Sequence, residues 1–450
     1  MFSYGMGDAG TGLAATQLGF YLFPFFVGPA GLPPFIAGSL LMVIKIWDAI
    51  NDPLIGWLSD HTQSRWGPRL PWMIGASLPL GLSLSAIWWI PPGTTGEKTA
   101  YYIVIAVLLM TAYTSVNLPF AALSTEITEE TTIRTRLNAA RFTGSIMAGL
   151  SGLIVAAGLL SGGNEGYLSM GKITGTIATI TTLFSCWGLA PYAKKARKPS
   201  THSEPIKLQL KRILNNNLFI RIILLYLLLW CGLQLMQTVS LIYLEEVMRV
   251  PVEISKWIPI PFQISALIGL QVWSFYSNKY GRISALYIGG LIWILACLLA
   301  MVLPPISTNS SIQTISDLSN FEVFKMIILL ATISLVGFGA STAYLIPWSL
   351  LPDAIDADPD KPAGIYTAWM VLIQKIGIGF SVQLLGLLLT FAGYKSSIDC
   401  SNSINCLDQT SSALLTIRLC MGLIPSILVA IGLIMMHRWI TNTSQLKKVN

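Results

Sequence analysis

The chain has 450 residues, of which 53% are hydrophobic and only 11% are charged, and its mean hydropathy is +0.65. Soluble domains carry about 25% charged residues, so this composition excludes an ordinary soluble protein and indicates one that lies in a lipid bilayer. The net charge of +7 is spread over short loops. This dispersion argues against a nucleic-acid-binding surface.

Apolar stretches long enough to cross a bilayer recur along the whole chain. They predict about twelve transmembrane helices and therefore an all-α membrane protein. In chain order the predicted segments are 10–27, 34–57, 71–91, 101–122, 138–161, 172–192, 218–243, 253–276, 283–303, 322–350, 364–393 and 411–436.

Lysine and arginine gather in alternate loops, including the stretch from Lys194 to Arg212. By the positive-inside rule this distribution places both termini in the cytoplasm. The first apolar segment begins almost at Met1 and lacks a basic leader, so no cleavable signal peptide is expected. We expect an integral multi-pass protein of a bacterial inner (cell) membrane.

A weak internal repeat divides the chain. Ser59 and Ser277 each end the second predicted helix of a half, at an offset of 218 residues, and a basic residue and a glycine follow both. Parallel repeats of this kind are typical of transporters. The predicted organisation is an N-terminal six-helix bundle with the cation site (1–192), a basic cytoplasmic linker (193–217), a C-terminal six-helix bundle (218–436) and a cytoplasmic tail (437–450).

Two acids, Asp48 and Asp52, lie one helical turn apart in the second apolar segment. Each costs roughly 2.5–3.5 kcal/mol at the centre of a membrane helix, so the pair requires a function. Asn51 adds an amide oxygen beside them. At the repeat offset the acids become Ala266 and Leu270, so the fold does not depend on them. The pattern predicts a site for a small cation or a proton.

Cysteine and histidine give little evidence for other sites. Cys400 and Cys406 share a predicted external loop and could form a disulfide. The three histidines lie in polar loops, and no Cys/His cluster has the spacing of a metal site. We therefore expect no cofactor and no metal beyond the coupling ion.

Several motifs resemble one known family. The strings WDAINDPLIGW and SRWGPRLPW, together with YGMGDAG, NLPFAAL, ARFTGS and LPDAIDAD, are distributed along the chain, and the resemblance that they carry extends over essentially its whole length. They resemble the glycoside–pentoside–hexuronide:cation symporters (melibiose permease-like) of the major facilitator superfamily. The resemblance implies a major facilitator fold, with twelve transmembrane helices in two pseudo-symmetric six-helix bundles.

The resemblance implies a complete cation site. Its ligands match Asp48, Asn51, Asp52 and Thr114. Lys45 precedes the first acid, and Lys375 matches a lysine near the cation pocket of the family, so both are charge-balancing candidates. The alternative is that the acids and lysines form a neutral structural network.

The family's sugar site is incomplete in this chain. Its two sugar-binding carboxylates fall on Gly12 and Asn117, and a nearby tryptophan falls on Ala121. Arg141 matches an arginine near the sugar pocket, and Arg141 with Lys375 would favour an anionic solute. The substrate-binding candidates are Asp8, Asn117, Arg141, Gln234, Gln237, Tyr344 and Lys375. The two glutamines are equally suited to hydrogen bonding between helices.

A third group of charged residues lies in the predicted cytoplasmic loops. We interpret these residues as a latch for the cytoplasmic gate rather than as substrate ligands. They are Asp60, Arg65, Arg69, Asp353 and Asp356.

The predicted function is secondary active transport: Na⁺- or H⁺-coupled symport of a sugar, glycoside or related small organic solute by alternating access. The partners are this solute, the cation and the bilayer, and a monomer is expected. One alternative is a lysolipid or other amphiphile carrier, since animal sodium-dependent lysophospholipid symporters belong to the same wider group. A remote alternative is an intramembrane enzyme that uses the two acids. The sequence leaves the ion, the stoichiometry and the direction of transport open.

Overall fold

The computed structural model describes residues 2–128, 130–194, 205–306, 319–360, 362–396 and 409–442. Cys400 and Cys406 lie outside these residues. The helices of ten or more residues are α1 (Ala9–Val27), α2 (Pro34–Asp60), α3 (Leu70–Ala86), α4 (Thr95–Glu126), α5 (Thr131–Leu159), α6 (Gly163–Ala193), α7 (Ile206–Asn215), α8 (Asn217–Ile242), α9 (Pro259–Tyr280), α10 (Arg282–Val302), α11 (Asn320–Asp356), α12 (Ala363–Phe391), α13 (Ser411–Met421) and α14 (Leu423–Asn442).

The predicted all-helical membrane architecture is confirmed. Within the described residues, ten helical segments are long and apolar enough to cross a membrane, from Pro34–Asp60 to Ser411–Trp439. The apolar helix α3 is shorter, with 17 residues. Every predicted segment overlaps a long helix, and the segment 411–436 extends over two, α13 and α14. Long apolar runs in a bilayer become helical because they must satisfy their own backbone hydrogen bonds.

The chain divides into two compact units. The first comprises Met1–Leu32 and Ser39–Ser203, and the second comprises Pro33–Gly38 and Glu204–Asn450. The cation-site candidates on α2 and α4 belong to the first unit. The aromatic residues of α8 and α11 belong to the second.

In the first unit, α3 and α6 are in backbone contact. A Cβ on Gly175 would lie 2.2 Å from the Gly81 carbonyl oxygen, and one on Gly81 would lie 2.5 Å from that of Gly175. Ser85 Oγ donates to the Gly171 carbonyl oxygen at 3.0 Å. Helices in lipid associate through close packing of small residues, so these glycines fix the α3–α6 pair.

In the second unit, aromatic side chains connect the helices through hydrogen bonds to carbonyl groups. Trp273 Nε1 of α9 donates to the Phe338 carbonyl oxygen of α11 at 2.8 Å. Tyr243 follows α8, and its hydroxyl donates to the Ala300 carbonyl oxygen of α10 at 2.5 Å. Buried Trp and Tyr normally require such partners, so these bonds place the apolar rings and join the helices at the same time.

Two helical features were not predicted from the sequence. The stretch 193–217 contains α7, whereas the sequence predicts only a polar linker there. Ile206, Leu210 and Leu214 have the four-residue spacing of a helix face. The basic residues and prolines around them make the stretch read as a polar linker instead. The last helix, α14, continues to Asn442, several residues into the predicted tail.

Candidate cation and solute sites

The two acids of α2 converge on one hydroxyl of α4. Thr114 Oγ1 lies 3.3 Å from Oδ1 of Asp48 and 3.3 Å from Oδ1 of Asp52. Asp48 and Thr114 are buried and Asp52 is half-buried. A threonine hydroxyl has one proton, so it can donate to only one carboxylate at a time. The pair therefore presents more acceptor oxygens than this donor can satisfy.

Asn51 supplies a further oxygen. Its Nδ2 donates to the Met110 carbonyl oxygen of α4 at 3.3 Å, which fixes the orientation of the amide. Its Oδ1 is buried and has no hydrogen-bond partner among the described residues. An unsatisfied buried acceptor costs about 1–3 kcal/mol. The amide oxygen is therefore available to a ligand.

A second contact aligns α2 with α4. Trp47 Nε1 donates to Thr111 Oγ1 at 3.0 Å. Trp47 precedes Asp48, and Thr111 lies one turn before Thr114. Two carboxylates, an amide oxygen and a hydroxyl form a set of hard oxygen donors, which suits Na⁺. The role of these four residues as a cation site stays a prediction.

The two charge-balancing candidates are half-buried. Lys45 lies on α2, three residues before Asp48 and on the same side of the helix. Lys375 lies on α12 in the second unit. Their roles stay predictions.

A second charged cluster in the first unit brings together three predicted substrate residues. Asp8 Oδ2 accepts from Arg141 Nε at 3.0 Å, and Asp8 Oδ1 accepts from Asn117 Nδ2 at 2.6 Å. Thr11 Oγ1 donates to the same Oδ1 at 2.7 Å. Because Asp8 balances Arg141, the charge of Arg141 no longer argues for an anionic solute.

The guanidinium of Arg141 lies close to two aromatic rings. Its Cζ lies 5.6 Å from the ring centroid of Phe120 and 5.7 Å from that of Phe142. These distances are typical of cation–π contacts, which strengthen when the pair is desolvated. The ion pair and the rings together determine the orientation of Arg141 without a bound solute.

Packing explains the missing acid in the first helix. A Cβ on Gly12 would lie 2.3 Å from Ser145 Oγ and 2.6 Å from the Ser145 carbonyl oxygen. No carboxylate side chain fits between α1 and α5 at this position. Asp8, four residues earlier and immediately before α1, is the acid at this end of the helix instead.

The remaining substrate candidates contact other protein groups. Gln234 Nε2 donates to Thr238 Oγ1 within α8 at 3.1 Å. The side chain of Gln237 hydrogen-bonds the hydroxyl of Tyr344 on α11. The ring of Tyr344 lies 5.0 Å from that of Trp230. Gln237 and Tyr344 thus form a contact between helices α8 and α11.

The predicted gate residues form an ion pair within each unit. In the first unit, Arg69 Nη2 lies 2.5 Å from Asp60 Oδ1 and 2.5 Å from Glu126 Oε1, and its Nη1 donates to Ser59 Oγ at 2.6 Å. Burial lowers the pKa of Arg69, but the bonds and charges of Glu126 and Asp60 outweigh it and raise that pKa above its ordinary value. Glu126 was missed from the sequence because it follows the apolar part of α4.

In the second unit, Arg282 Nη2 lies 2.9 Å from Asp353 Oδ2. Arg282 begins α10 and Asp353 lies near the end of α11, so the pair has the same place in the element order as Arg69 and Glu126. The other two gate candidates, Arg65 and Asp356, are exposed. The guanidinium of Arg65 lies 5.1 Å from the ring of Trp66.

Comparison with known proteins gives the family. A family model described as MFS/sugar transport protein matches residues 3–442. The chain belongs to this family. The family predicted from the WDAINDP and neighbouring motifs is therefore confirmed.

Several named symporters are similar over most of their length. The uncharacterized symporter sll1374 of Synechocystis is 29% identical over 523 residues, covering 96% of this chain and 92% of that protein. The sodium-dependent lysophosphatidylcholine symporter 1-A of Danio rerio is 22% identical, covering 96% and 83%. The inner membrane symporter YicJ of Escherichia coli is 23% identical, covering 89% and 84%.

Solved transporter structures share the fold. A bacterial homolog of the human lysosomal transporter Spinster aligns with a TM-score of 0.71 at 13% identity, covering 98% of this chain and 96% of that chain. The nucleoside transporter NupG aligns with a TM-score of 0.65 at 13% identity, covering 97% and 99%. These likenesses show a transporter fold of the MFS type. With the family, they make this chain an integral multi-pass secondary active transporter, a symporter.

Proposed function

We propose that this symporter couples solute movement to Na⁺, which binds between α2 and α4. The observation that carries the proposal is the hydroxyl of Thr114, 3.3 Å from both Asp48 and Asp52. The unsatisfied Oδ1 of Asn51 adds a neutral ligand. Sodium dependence in the names of relatives such as the lysophosphatidylcholine symporters supports this ion.

Binding of the cation would relieve the repulsion between two carboxylates one turn apart. Two carboxylates this close repel each other, and the single hydroxyl proton of Thr114 can be donated to only one of them at a time. A bound Na⁺ neutralises one charge and draws both acids and Thr114 together. A membrane potential of 100 mV then supplies about 2.3 kcal/mol for each charge moved. H⁺ is the other ion that two adjacent carboxylates can take.

The solute site that we propose begins one turn away from the cation site. Asn117 follows Thr114 by three residues on α4 and contacts Asp8, which pairs with Arg141. A polar solute can exchange hydrogen bonds with these three side chains. In the second unit, Gln234, Gln237, Tyr344 and Lys375 are the corresponding candidates. The gate candidates Asp60, Arg65, Arg69, Asp353 and Asp356 would act at the cytoplasmic ends.

For the solute we favour a sugar, glycoside or related small organic molecule. The family description names sugar transport, and the Asp8–Asn117–Arg141 cluster is polar. The second candidate is a lysolipid, because relatives named as lysophosphatidylcholine symporters align over 96% of this chain. The crowding at Gly12 excludes one sugar-binding acid of the melibiose permease-like pattern. The absence of this acid is compatible with either solute class.

We propose twelve transmembrane helices in two six-helix bundles, consisting of the ten candidate spans with α1 and α3. The positive loops support cytoplasmic termini. The name of YicJ, an inner membrane symporter, supports a bacterial inner membrane. We expect a monomer.

The test is uptake into proteoliposomes from a panel of glycosides, uronates and lysolipids, with and without Na⁺ and H⁺ gradients. Asp52→Asn should abolish cation-stimulated uptake, because it removes one charge of the pair. Asp360→Asn, which alters an exposed acid outside the site, is the matched control. Unchanged uptake with unchanged Na⁺ dependence in Asp52→Asn would refute the proposal.

A further inference from the structure

Helix α7 has one face that packs against the protein. Ile213 is 3% exposed. Arg212 Nη1 lies 2.9 Å from Asp358 Oδ1, in the loop between α11 and α12. Gln209 Oε1 accepts from Trp369 Nε1 of α12 at 3.2 Å. At 100° per residue these side chains fall on one side of the helix, so α7 is fixed to the second unit by this side.

The neighbouring face of α7 is apolar and exposed. Ile206, Leu210 and Leu214 are 72%, 40% and 57% exposed. They lie at the i, i+4 and i+8 positions and form one continuous stripe. The stripe does not contribute to the core of the unit, although it has the composition of a buried surface.

The next face carries positive charge. Lys207 and Lys211 are exposed and lie one turn apart beside the apolar stripe. Leu208 is also exposed and lies outside the stripe. A helix with an apolar stripe bordered by lysines is typical of helices that lie in the membrane interface.

The position of α7 brings it to the membrane boundary. It ends at Asn215, and the candidate span Asn217–Val247 begins two residues later. The guanidinium of Arg221, near the beginning of α8, lies 5.6 Å from the ring of Trp439 near the end of α14. Tryptophan and basic residues are concentrated where helices leave the bilayer. The beginning of α8 therefore marks an interface, and α7 adjoins it.

We propose that α7 is an interfacial helix that binds anionic phospholipid. Its apolar stripe inserts at the boundary between acyl chains and headgroups, and Lys207 and Lys211 contact lipid phosphates. The positive charge beside the stripe selects an anionic leaflet over a neutral one. Because Arg212 and Gln209 connect α7 to the α11–α12 loop and to α12, the lipid contact stabilises that end of both helices.

The experiment is hydrogen exchange of the full chain in nanodiscs of phosphatidylcholine, with or without phosphatidylglycerol. The protection factor of α7 amides should rise in the anionic discs by about fivefold for each lysine engaged. The variant Lys207→Gln/Lys211→Gln should lose this increase. The matched control is Lys279→Gln/Lys172→Gln, which removes the same charge elsewhere and should retain it. Exchange in α8 reports whether each variant is folded.

Three outcomes would overturn the proposal. One is equal protection of α7 in both kinds of disc. Another is an increase that survives in Lys207→Gln/Lys211→Gln, because it would not depend on the lysines. The third is protection in detergent that rises with protein concentration, because the stripe would then be covered by a second copy of the chain.

Discussion

Thr114 and Asn117 lie one turn apart on α4 and contact two different charged clusters. Thr114 lies at 3.3 Å from Asp48 and from Asp52, and Asn117 Nδ2 donates to Asp8 at 2.6 Å. One rigid helical turn thus connects the proposed cation site to the ion pair of Asp8 with Arg141. A shift of α4 that tightens one cluster must also move a ligand of the other.

We expect Thr114→Val to raise the Na⁺ concentration for half-maximal uptake by about tenfold to a hundredfold. The change keeps the shape of the side chain but removes a hydroxyl bonded to charged groups, which is worth about 1.5–3 kcal/mol. The measurement is Na⁺-dependent uptake into proteoliposomes. Ser115→Ala is the matched control, since Ser115 donates to the Thr111 carbonyl oxygen of its own helix. An equal shift in both variants would mean that the effect is not specific to the site.

We expect Asp8→Asn and Arg141→Gln to be strongly non-additive. Each single change leaves a poorly exposed charge without its counterion, whereas the double variant leaves none. A double-mutant cycle on thermal unfolding should give a coupling free energy of about 0.5–3 kcal/mol. The control cycle uses Arg212 and Asp360, whose carboxylate is 70% exposed, and should give less than about 1 kcal/mol. Additive effects at Asp8 and Arg141 would contradict the ion pair.

Asp358 should make stability depend on pH in the acid range. Burial raises its pKa, but bonds from Tyr366, the Asp360 amide and Arg212 outweigh burial and hold the pKa below its ordinary value. The folded state therefore binds the proton more weakly than the unfolded chain. The stabilisation is complete above about pH 4 and is lost as the pH falls through the folded pKa.

Unfolding of the wild type and of Asp358→Asn measured against pH tests this expectation. The stability difference between them should be constant from neutral pH down to about pH 5 and should shrink below about pH 4. A difference that grows on acidification would have the wrong sign and would exclude a lowered pKa.

We expect Gly175→Ala to destabilise the first unit by about 1–3 kcal/mol, because its Cβ would force α3 and α6 apart. The control is Gly158→Ala on α5, where nothing lies within 4 Å of the added Cβ. Better helix propensity should make that variant more stable by up to about 1 kcal/mol. The apparent melting temperature in detergent measures both. Similar effects of the two substitutions would show that the α3–α6 contact is looser than described.

The helices could be predicted because their signal is local. Each membrane-spanning run must be apolar over its own length, so residues such as those of α10 identify their helix without knowledge of their neighbours. Helix α7 was not predicted because it lacks such a long apolar run. It is short and basic, and its apolar stripe becomes visible only at helical spacing.

The partners of charged residues were harder to predict. Asp48 and Asp52 were recognised as an anomaly in an apolar segment, and Thr114 came from the family resemblance. The pairing of Asp8 with Arg141 depends on how α1 packs on α5, which no local pattern encodes. Glu126 was missed because a carboxylate at the end of a helix resembles an ordinary solvated residue.

The ion pairs Arg69–Glu126 and Arg282–Asp353 allow the two halves of the chain to be compared. Both halves have a salt bridge between the start of one helix and the end of the next. Only one half keeps the acids at positions 48 and 52; the other has Ala266 and Leu270. A salt bridge present at the same place in both halves is consistent with a role in the shared scaffold. In the proposed mechanism, energy coupling would therefore depend on the first half.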